Sequence, residues 1–359
     1  MKKLNFTVGP VMSSDAVLDV GAEQIPYFRN SDFSALMLEN EELVKSFSGV
    51  DSSGRTVFMT CSGTGSMEAV VMNFFTSNDK VLIINGGTFG QRFVEICKIH
   101  QVPYSEIRPQ FGCDITDEDL AQYEGKHYTG FLVNIDETSV GVLYNIERIS
   151  KFCKANGLFL VVDAISSFLC DPLNMKELDV AVMITGSQKA LACAPGISLI
   201  TMSEKAIHRL KDSKVSSLYF DLSLALKDGE RGQTPFTPAV GILRQINVRL
   251  NEIKQKGGVD VEIERVHALA SDFRHKIKSL PFKIVSKSLP NAVTALTPLH
   301  AKAYDIFLKL QSEYNIWVCP NGGNLKDSVF RVGHIGYLTE KDNDVLINAL
   351  EDLSRKGFL

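Results

Sequence analysis

No stretch of this sequence approaches the apolar run that a membrane-spanning helix requires. The start, MKKLNFTVGPVMSSD, has two lysines but no following apolar segment and no small-residue cleavage signal. Both absences point to a cytoplasmic protein without a membrane partner. An excess of charge of one sign is missing too: 38 basic against 42 acidic residues give a formal net charge of -4, with no general attraction for nucleic acid or anionic lipid. Paired cysteines are lacking. Cys61, Cys97, Cys113, Cys153, Cys170, Cys193 and Cys319 include no C-x-x-C and are odd in number, which argues against a complete disulfide framework and makes most of them small core residues. The seven histidines show no H-x-x-x-H spacing, so no metal ligand is assigned. A Walker ending is absent. The dinucleotide fingerprint is incomplete as well, because Glu68 stands where the third small residue of GTGSME belongs.

What is present is ordinary globular material. With 45% apolar and 22% charged residues over 359 positions, the chain suits one large domain and a smaller companion. Between about residues 55 and 205, the apolar runs TVFMT, KVLIIN, YTGFLVN, GLFLVVDA, VAVMIT and GISLIT alternate with GSMEAVVMNFF, GQRFVEICKIH, NIERISKFCKANG and SEKAIHRLKDS, whose apolar residues recur near helical spacing. This is the pattern of strand–helix–strand units building a mainly parallel sheet. The polar ALKDGERGQTPFTP marks a lobe boundary, and a long helical pattern runs from Pro238 towards Leu280. Beyond it, FKIVS, AVTALTP, IWVCP and SVFRVGHIG read as strands, with helices around AKAYDIFLKLQSEYN and KDNDVLINALEDLSRKG, an α+β tail.

Ligands in open α/β sheets collect at the carboxyl ends of strands. The first rich exit is CSGTGSMEAVV, where Ser62, Gly63 and Thr64 open a helix; they form either a phosphate cradle or a tight turn with a Ser/Thr cap. At the second, Phe89 follows two glycines and can cover a planar cofactor or simply pack. The third presents Glu137, Thr138 and Ser139, residue types that commonly cap turns. At the fourth, a fully apolar run ends in Asp163, which is either an N-cap or a carboxylate needing a permanent partner. One unit later VMITGSQKALACAPGISLI places Lys189 among small residues between apolar runs. A lysine for an imine, a carboxylate to keep a ring nitrogen protonated and an anion cradle together match the demands of pyridoxal 5'-phosphate. The displaced Lys189 amine is then placed to move the substrate Cα proton.

The ordered motifs SGTGSMEA, NGGTFGQRF, DETSVGVL, VVDAISS, GSQKAL and FRVGHIG resemble the class V aminotransferases of pyridoxal-phosphate fold type I over almost the whole chain. SGTGSMEA, QTPFTP and FRVGHIG are most similar to the 2-aminoethylphosphonate:pyruvate transaminases, and YFRNSDF is similar to the alanine or serine:glyoxylate branch. The resemblance implies a large domain of mainly parallel sheet over residues 15–245, a smaller α+β C-terminal domain over 246–359, and a segment 1–14 near the substrate entrance. It implies that Lys189 carries the cofactor aldehyde as an internal aldimine, Asp163 faces the pyridinium nitrogen, Phe89 stacks on the ring and Thr138 reaches the phenolic oxygen. Ser62, Gly63, Thr64 and Gln188 hold the phosphate, with Thr234 and Thr237 reaching it from the second subunit of a homodimer with shared active sites. Arg331 binds the substrate carboxylate, and Arg29 is a second candidate substrate contact or else a lobe contact. The expected partners are a small amino donor (2-aminoethylphosphonate, alanine or serine) and pyruvate or glyoxylate, in a ping-pong cycle. Phe89 replaces the more usual Trp or Tyr, and Phe28 a histidine. A lyase of the same fold, such as a cysteine desulfurase, is the alternative. It would need a nucleophilic cysteine in a mobile loop, whereas Cys319 ends the apolar IWVC run.

Overall fold

The computed structural model describes residues 3–359. In chain order the strands are β1 (Leu4–Phe6), β2 (Arg55–Met59), β3 (Val81–Ile84), β4 (Tyr104–Ile107), β5 (Gly130–Asn134), β6 (Asp136–Glu137), β7 (Val142–Leu143), β8 (Phe159–Asp163), β9 (Val182–Gly186) and β10 (Ser198–Met202). Then follow β11 (Phe282–Ile284), β12 (Val293–Pro298), β13 (Ile316–Pro320) and β14 (Phe330–Gly333). Seven of them form one sheet in the order β2-β10-β9-β8-β5-β3-β4. Strand β10 runs antiparallel to both neighbours, and the remaining pairs are parallel. The expected strand–helix alternation is therefore present. β3, β5, β8, β9 and β10 are buried along their whole length, as strands covered by helices on both faces must be. Each fully buried Val, Leu or Ile there contributes about 1.5–3 kcal/mol.

A second sheet, ordered β1-β13-β14-β12-β11, is antiparallel except for β1 against β13. Its apolar cluster includes Phe6, Phe273, Phe330 and Leu350. The N-terminal segment expected over 1–14 thus contributes an edge strand to the C-terminal sheet; Met1 and Lys2 lie outside the described residues. The long helical pattern after Pro238 is two helices, Val240–Gln255 and Val259–Lys276. Gly257 and Gly258, at φ +115° and +91°, break it in a conformation that side chains rarely tolerate. The boundary expected at residue 245 falls inside the first of these helices.

Candidate active site

Because only β10 is reversed, the carboxyl ends of β2, β3, β5, β8 and β9 open on one edge of the large sheet. Asn134 lies beside Asp163 and Asp163 beside Ile184 in the ladder, so the segments after β5, β8 and β9 leave side by side. Lys189 follows β9 by three residues.

Lys189 is 8% exposed, and its ammonium makes no ion pair among the described residues. Burial pushes the amine below its ordinary pKa; the facing Asp136, Cys319 and Asp163 oppose this, and Arg331 adds to it. A lysine held in that state is poised to lose its proton and act as a nucleophile or base. Beyond β1 the chain bends to Gly9 at φ +129°, where an added Cβ would lie 2.8 Å from Lys189 Cδ. Glycine is required there because the chain runs against the lysine stem.

Asp163 is 5% exposed, and its Oδ1 accepts from Ile165 N at 2.9 Å. Burial raises its pKa to about 6, while that hydrogen bond, Lys189 and Arg92 act the other way. The N-cap reading is thus half right, since one oxygen caps the following turn. No hydrogen bond engages Oδ2 among the described residues. Thr138 Oγ1 lies 3.2 Å from Ser166 Oγ and 3.4 Å from the Asp136 carbonyl. Gln188 is half-buried and folds over Gly186, where a Cβ would sit 2.9 Å from its Oε1.

At the end of β2, Ser62 is the N-cap of helix Gly63–Phe74, yet its exposed hydroxyl makes no capping bond. A Cβ on Gly63 would overlap Ile165, the second residue after Asp163. Glycine here lets the start of the helix approach the β8 exit. Phe89 is half-buried in the first turn of helix Thr88–Ile99, whose N–H groups at Phe89 and Gly90 donate to Glu137 at 3.4 and 3.0 Å. Arg92, which the sequence reading missed, has its guanidinium 4.9 Å from the Phe89 ring centroid and donates to Thr64 Oγ1 at 3.1 Å. It joins the aromatic to the anion cradle and adds positive charge there. Its spacing three residues after Phe89 was the available signal.

Arg331 rises from β14 opposite Cys319 on β13. Its Nη2 donates to the Pro320 carbonyl at 2.7 Å and its Nη1 to the Thr138 carbonyl at 3.4 Å, whereas Nε is buried without a partner among the described residues. The guanidinium is thus fixed between the small sheet and the Thr138 loop. Two expected assignments fare differently. Arg29 is not gathered around Lys189: it donates to the carbonyls of Thr234 and Pro235 at 2.8 and 3.2 Å and to Gln233 Oε1 at 3.2 Å. Its guanidinium clamps the 233–235 loop, a contact inside the 15–245 region rather than between two lobes. Thr234 is buried and its hydroxyl donates to the Phe236 carbonyl at 2.8 Å, so it is not free on the surface; Thr237 is exposed.

The set fits pyridoxal phosphate: a buried amine without a counter-ion, a buried carboxyl with one uncommitted oxygen, and a helix N-terminus whose capping hydroxyl is unused. Among the described residues no group of three or more His, Cys, Asp or Glu side chains could hold a metal ion, and no helix is long and apolar enough to cross a membrane.

Comparison with known proteins places these features in a family. The model for "Aminotransferase class-V" matches residues 26–319. An uncharacterized aminotransferase of Methanocaldococcus jannaschii is 31% identical, over 95% of this chain and 90% of that protein. A protein named soluble hydrogenase, small subunit, from a Synechococcus species is 28% identical, over 98% and 92%. The crystal structure of an alanine–glyoxylate aminotransferase from a Nostoc species superposes with a TM-score of 0.92 at 26% identity, covering 99% of this chain and 96% of that one.

Proposed function

The chain belongs to the class V aminotransferases and works with pyridoxal 5'-phosphate, and from that premise we propose that it moves an amino group from a small donor with a single acid group to pyruvate or glyoxylate in a ping-pong cycle. The donors in view are alanine, serine and 2-aminoethylphosphonate. The observation that carries this reading is the buried, ion-pair-free Lys189 on the same sheet edge as Asp163 and facing Arg331.

Lys189 would hold the cofactor covalently, Asp163 would hold the ring nitrogen and Phe89 one ring face, with Thr138 at the phenolic oxygen. Ser62, Gly63, Thr64 and Gln188 would hold the phosphate. Bound there, the ring supplies a sink for the electron pair left when the substrate carbon loses its proton. The protein supplies the rest. Asp163 would place a negative charge beside the ring nitrogen and so favour its protonated form, and the buried surroundings would strengthen that pairing. Lys189, with its pKa lowered by burial, would be the group that takes and later returns the proton of the substrate carbon. Arg331, pinned by two carbonyls, fixes the donor's acid group and so the direction in which the C–H bond points. With Arg29 committed to the 233–235 loop, Arg331 is left as the anchor for one acid group, which favours donors bearing a single acid group over aspartate.

A homodimer belongs to the same reading. A groove of about 640 Å³ is lined by Ile25, Tyr27, Phe28, Thr237, Pro238 and Ile242, and Ile25 and Tyr27 are 59% and 70% exposed. Apolar exposure of this kind suits a face covered by a second copy, with Thr237 offered to the neighbouring site.

Mixing the cofactor-loaded protein with one donor and no acceptor tests the reading. Alanine, serine or 2-aminoethylphosphonate should abolish the visible cofactor absorbance and release the matching oxo product in one equivalent. Silence from every donor, or continuous product release without acceptor, contradicts it. Arg331→Ala should lower kcat/KM about 100-fold, mostly through KM, because charge-assisted hydrogen bonds of about 1.5–3 kcal/mol each are lost.

A further inference from the structure

Strand β6 carries two buried acids with opposite surroundings. Neither carboxyl oxygen of Asp136 has a hydrogen-bond partner among the described residues, although the residue is only 4% exposed. The carboxylate of Glu137, which is 0% exposed, is ringed by donors. Its Oε1 accepts from Ser139 Oγ at 2.5 Å and from the N–H groups of Phe89 and Ser139, each at 3.4 Å. Its Oε2 accepts from Gly90 N and Asn134 Nδ2, each at 3.0 Å.

Two of these donors belong to the first turn of helix Thr88–Ile99. The opening N–H groups of a helix need acceptors from outside it, and the N-cap side chain is the usual source. Here the N-cap is Gly87, which has no side chain to offer. A Cβ on Gly87 would lie 2.3 Å from Ser139 Oγ and 2.5 Å from Glu137 Cδ, so the cap arrives from the β6 loop and glycine leaves it room. Ser139 Oγ completes it by accepting from Thr88 N at 3.2 Å. Three successive N–H groups, at Thr88, Phe89 and Gly90, thus end on one loop, with a carboxylate at the positive end of the helix. The loop is anchored on its other side, where Asn321 donates to the Ser139 carbonyl at 3.1 Å and Arg331 to the Thr138 carbonyl at 3.4 Å. Helix Gly63–Phe74 is the contrast: its N-cap hydroxyl makes no capping bond, which leaves that terminus to an anion, whereas the terminus at Phe89 is closed by the protein itself.

Resting on the cofactor site read above, we propose that Glu137 is a positioning residue for Phe89: it fastens the first turn of the Phe89 helix to the loop that carries Thr138, and so fixes the ring offered to the cofactor relative to the hydroxyl offered to its phenolic oxygen. Helix ends fray, and an aromatic riding on a loose first turn would have to be ordered each time the cofactor binds. Glu137 holds the Phe89 backbone, while Arg92 holds the ring with its guanidinium 4.9 Å from the centroid. A carboxylate is needed because it only accepts. Glutamine would turn one of the two oxygens into an NH₂ group, and whichever end that was would face backbone N–H groups.

The test is a double-mutant cycle on the cofactor dissociation constant, read from the visible absorbance as cofactor is titrated into cofactor-free protein, over wild type, Glu137→Gln, Phe89→Ala and the double variant. Loss of ring stacking in Phe89→Ala should weaken binding about 10-fold. Glu137→Gln should weaken it by about as much when Phe89 is present, and by less than about 2-fold when residue 89 is already alanine, because the two act as one unit. An equal loss in both backgrounds is what a merely structural role would give, and it overturns the inference, as does no loss in either. Should Glu137→Gln not fold, Ser139→Ala replaces it: a loss of about 3-fold is expected with Phe89 present and none without it, and equal losses count against the proposal. If wild type takes up no cofactor, or Phe89→Ala binds it unchanged, the reading of the site itself fails instead, so the two failures are distinct.

Discussion

Replacing Lys189 by alanine abolishes covalent attachment of the cofactor and lowers transamination at least about 10⁴-fold, the combined loss of a positioned nucleophile and a general base. Fold and cofactor affinity should persist in part, because the phosphate cradle and Asp163 are untouched. The side chain is buried against Gly9, so the variant also leaves a cavity. A circular-dichroism melt run beside the kinetics separates the two losses. If Lys189→Ala retains a tenth of the activity while folded, another group is the base and the mechanism is wrong. Added methylamine, which replaces the lost amine without the tether, is expected to restore a small part of the rate.

The second large effect is at Asp163. Asparagine preserves the Ile165 N hydrogen bond but cannot stabilise a protonated ring nitrogen, so kcat should fall about 10³-fold with KM for the donor nearly unchanged. The same variant has a signature without cofactor. The Asp163 carboxyl has its pKa raised to about 6, above the ordinary carboxylate range near 3.9. Folded protein therefore binds that proton more tightly than unfolded chain. The stabilisation is complete below about pH 4 and is lost as pH rises towards 6, a difference of about 3 kcal/mol at most. Cofactor-free wild type should lose thermal stability over that window, and Asp163→Asn should lose less. Asp171, also raised to about 6, contributes a slope of the same sign in both proteins. Equal slopes would show that Asp163 is ionised throughout.

The parts of this architecture that could be read from the chain are those where one residue run decides one outcome. GLFLVVDA is apolar on both faces and then polar at one point, so strand and exit are visible together, and Asp163 and Lys189 are found by the same logic. Edge strand β4, YSEI, stayed hidden because it is half-buried and carries Ser105 and Glu106, which no burial pattern distinguishes from a loop. The break at Gly257–Gly258 was written in the sequence but outweighed by the helical spacing on either side. At the site, Arg29 and Thr234 could not be placed in advance. Which of their possible partners they meet depends on how helix Ser31–Ser48 and the 233–237 loop pack, a contact across some 200 residues of chain. Asp136 was invisible for a related reason. In DETS it reads as one more loop acid beside Glu137, and only the three-dimensional count of donors shows that the carboxylate of Glu137 has three side-chain and backbone partners or more while that of Asp136 has none among the described residues.

Arg92 shows the converse. Its position one turn after Phe89 follows from helical geometry alone, yet its importance rests on Thr64, which reaches it from a different helix. Residues that act within one element are legible early, whereas those that bridge two elements need the fold.

The most direct measurement is borohydride reduction of the cofactor-loaded protein followed by peptide mass analysis. The account predicts a single phosphopyridoxyl adduct on the peptide containing Lys189, none in Lys189→Ala, and loss of the visible absorbance in step with its formation. An adduct on another lysine, or a reduced protein with no adduct, would contradict it.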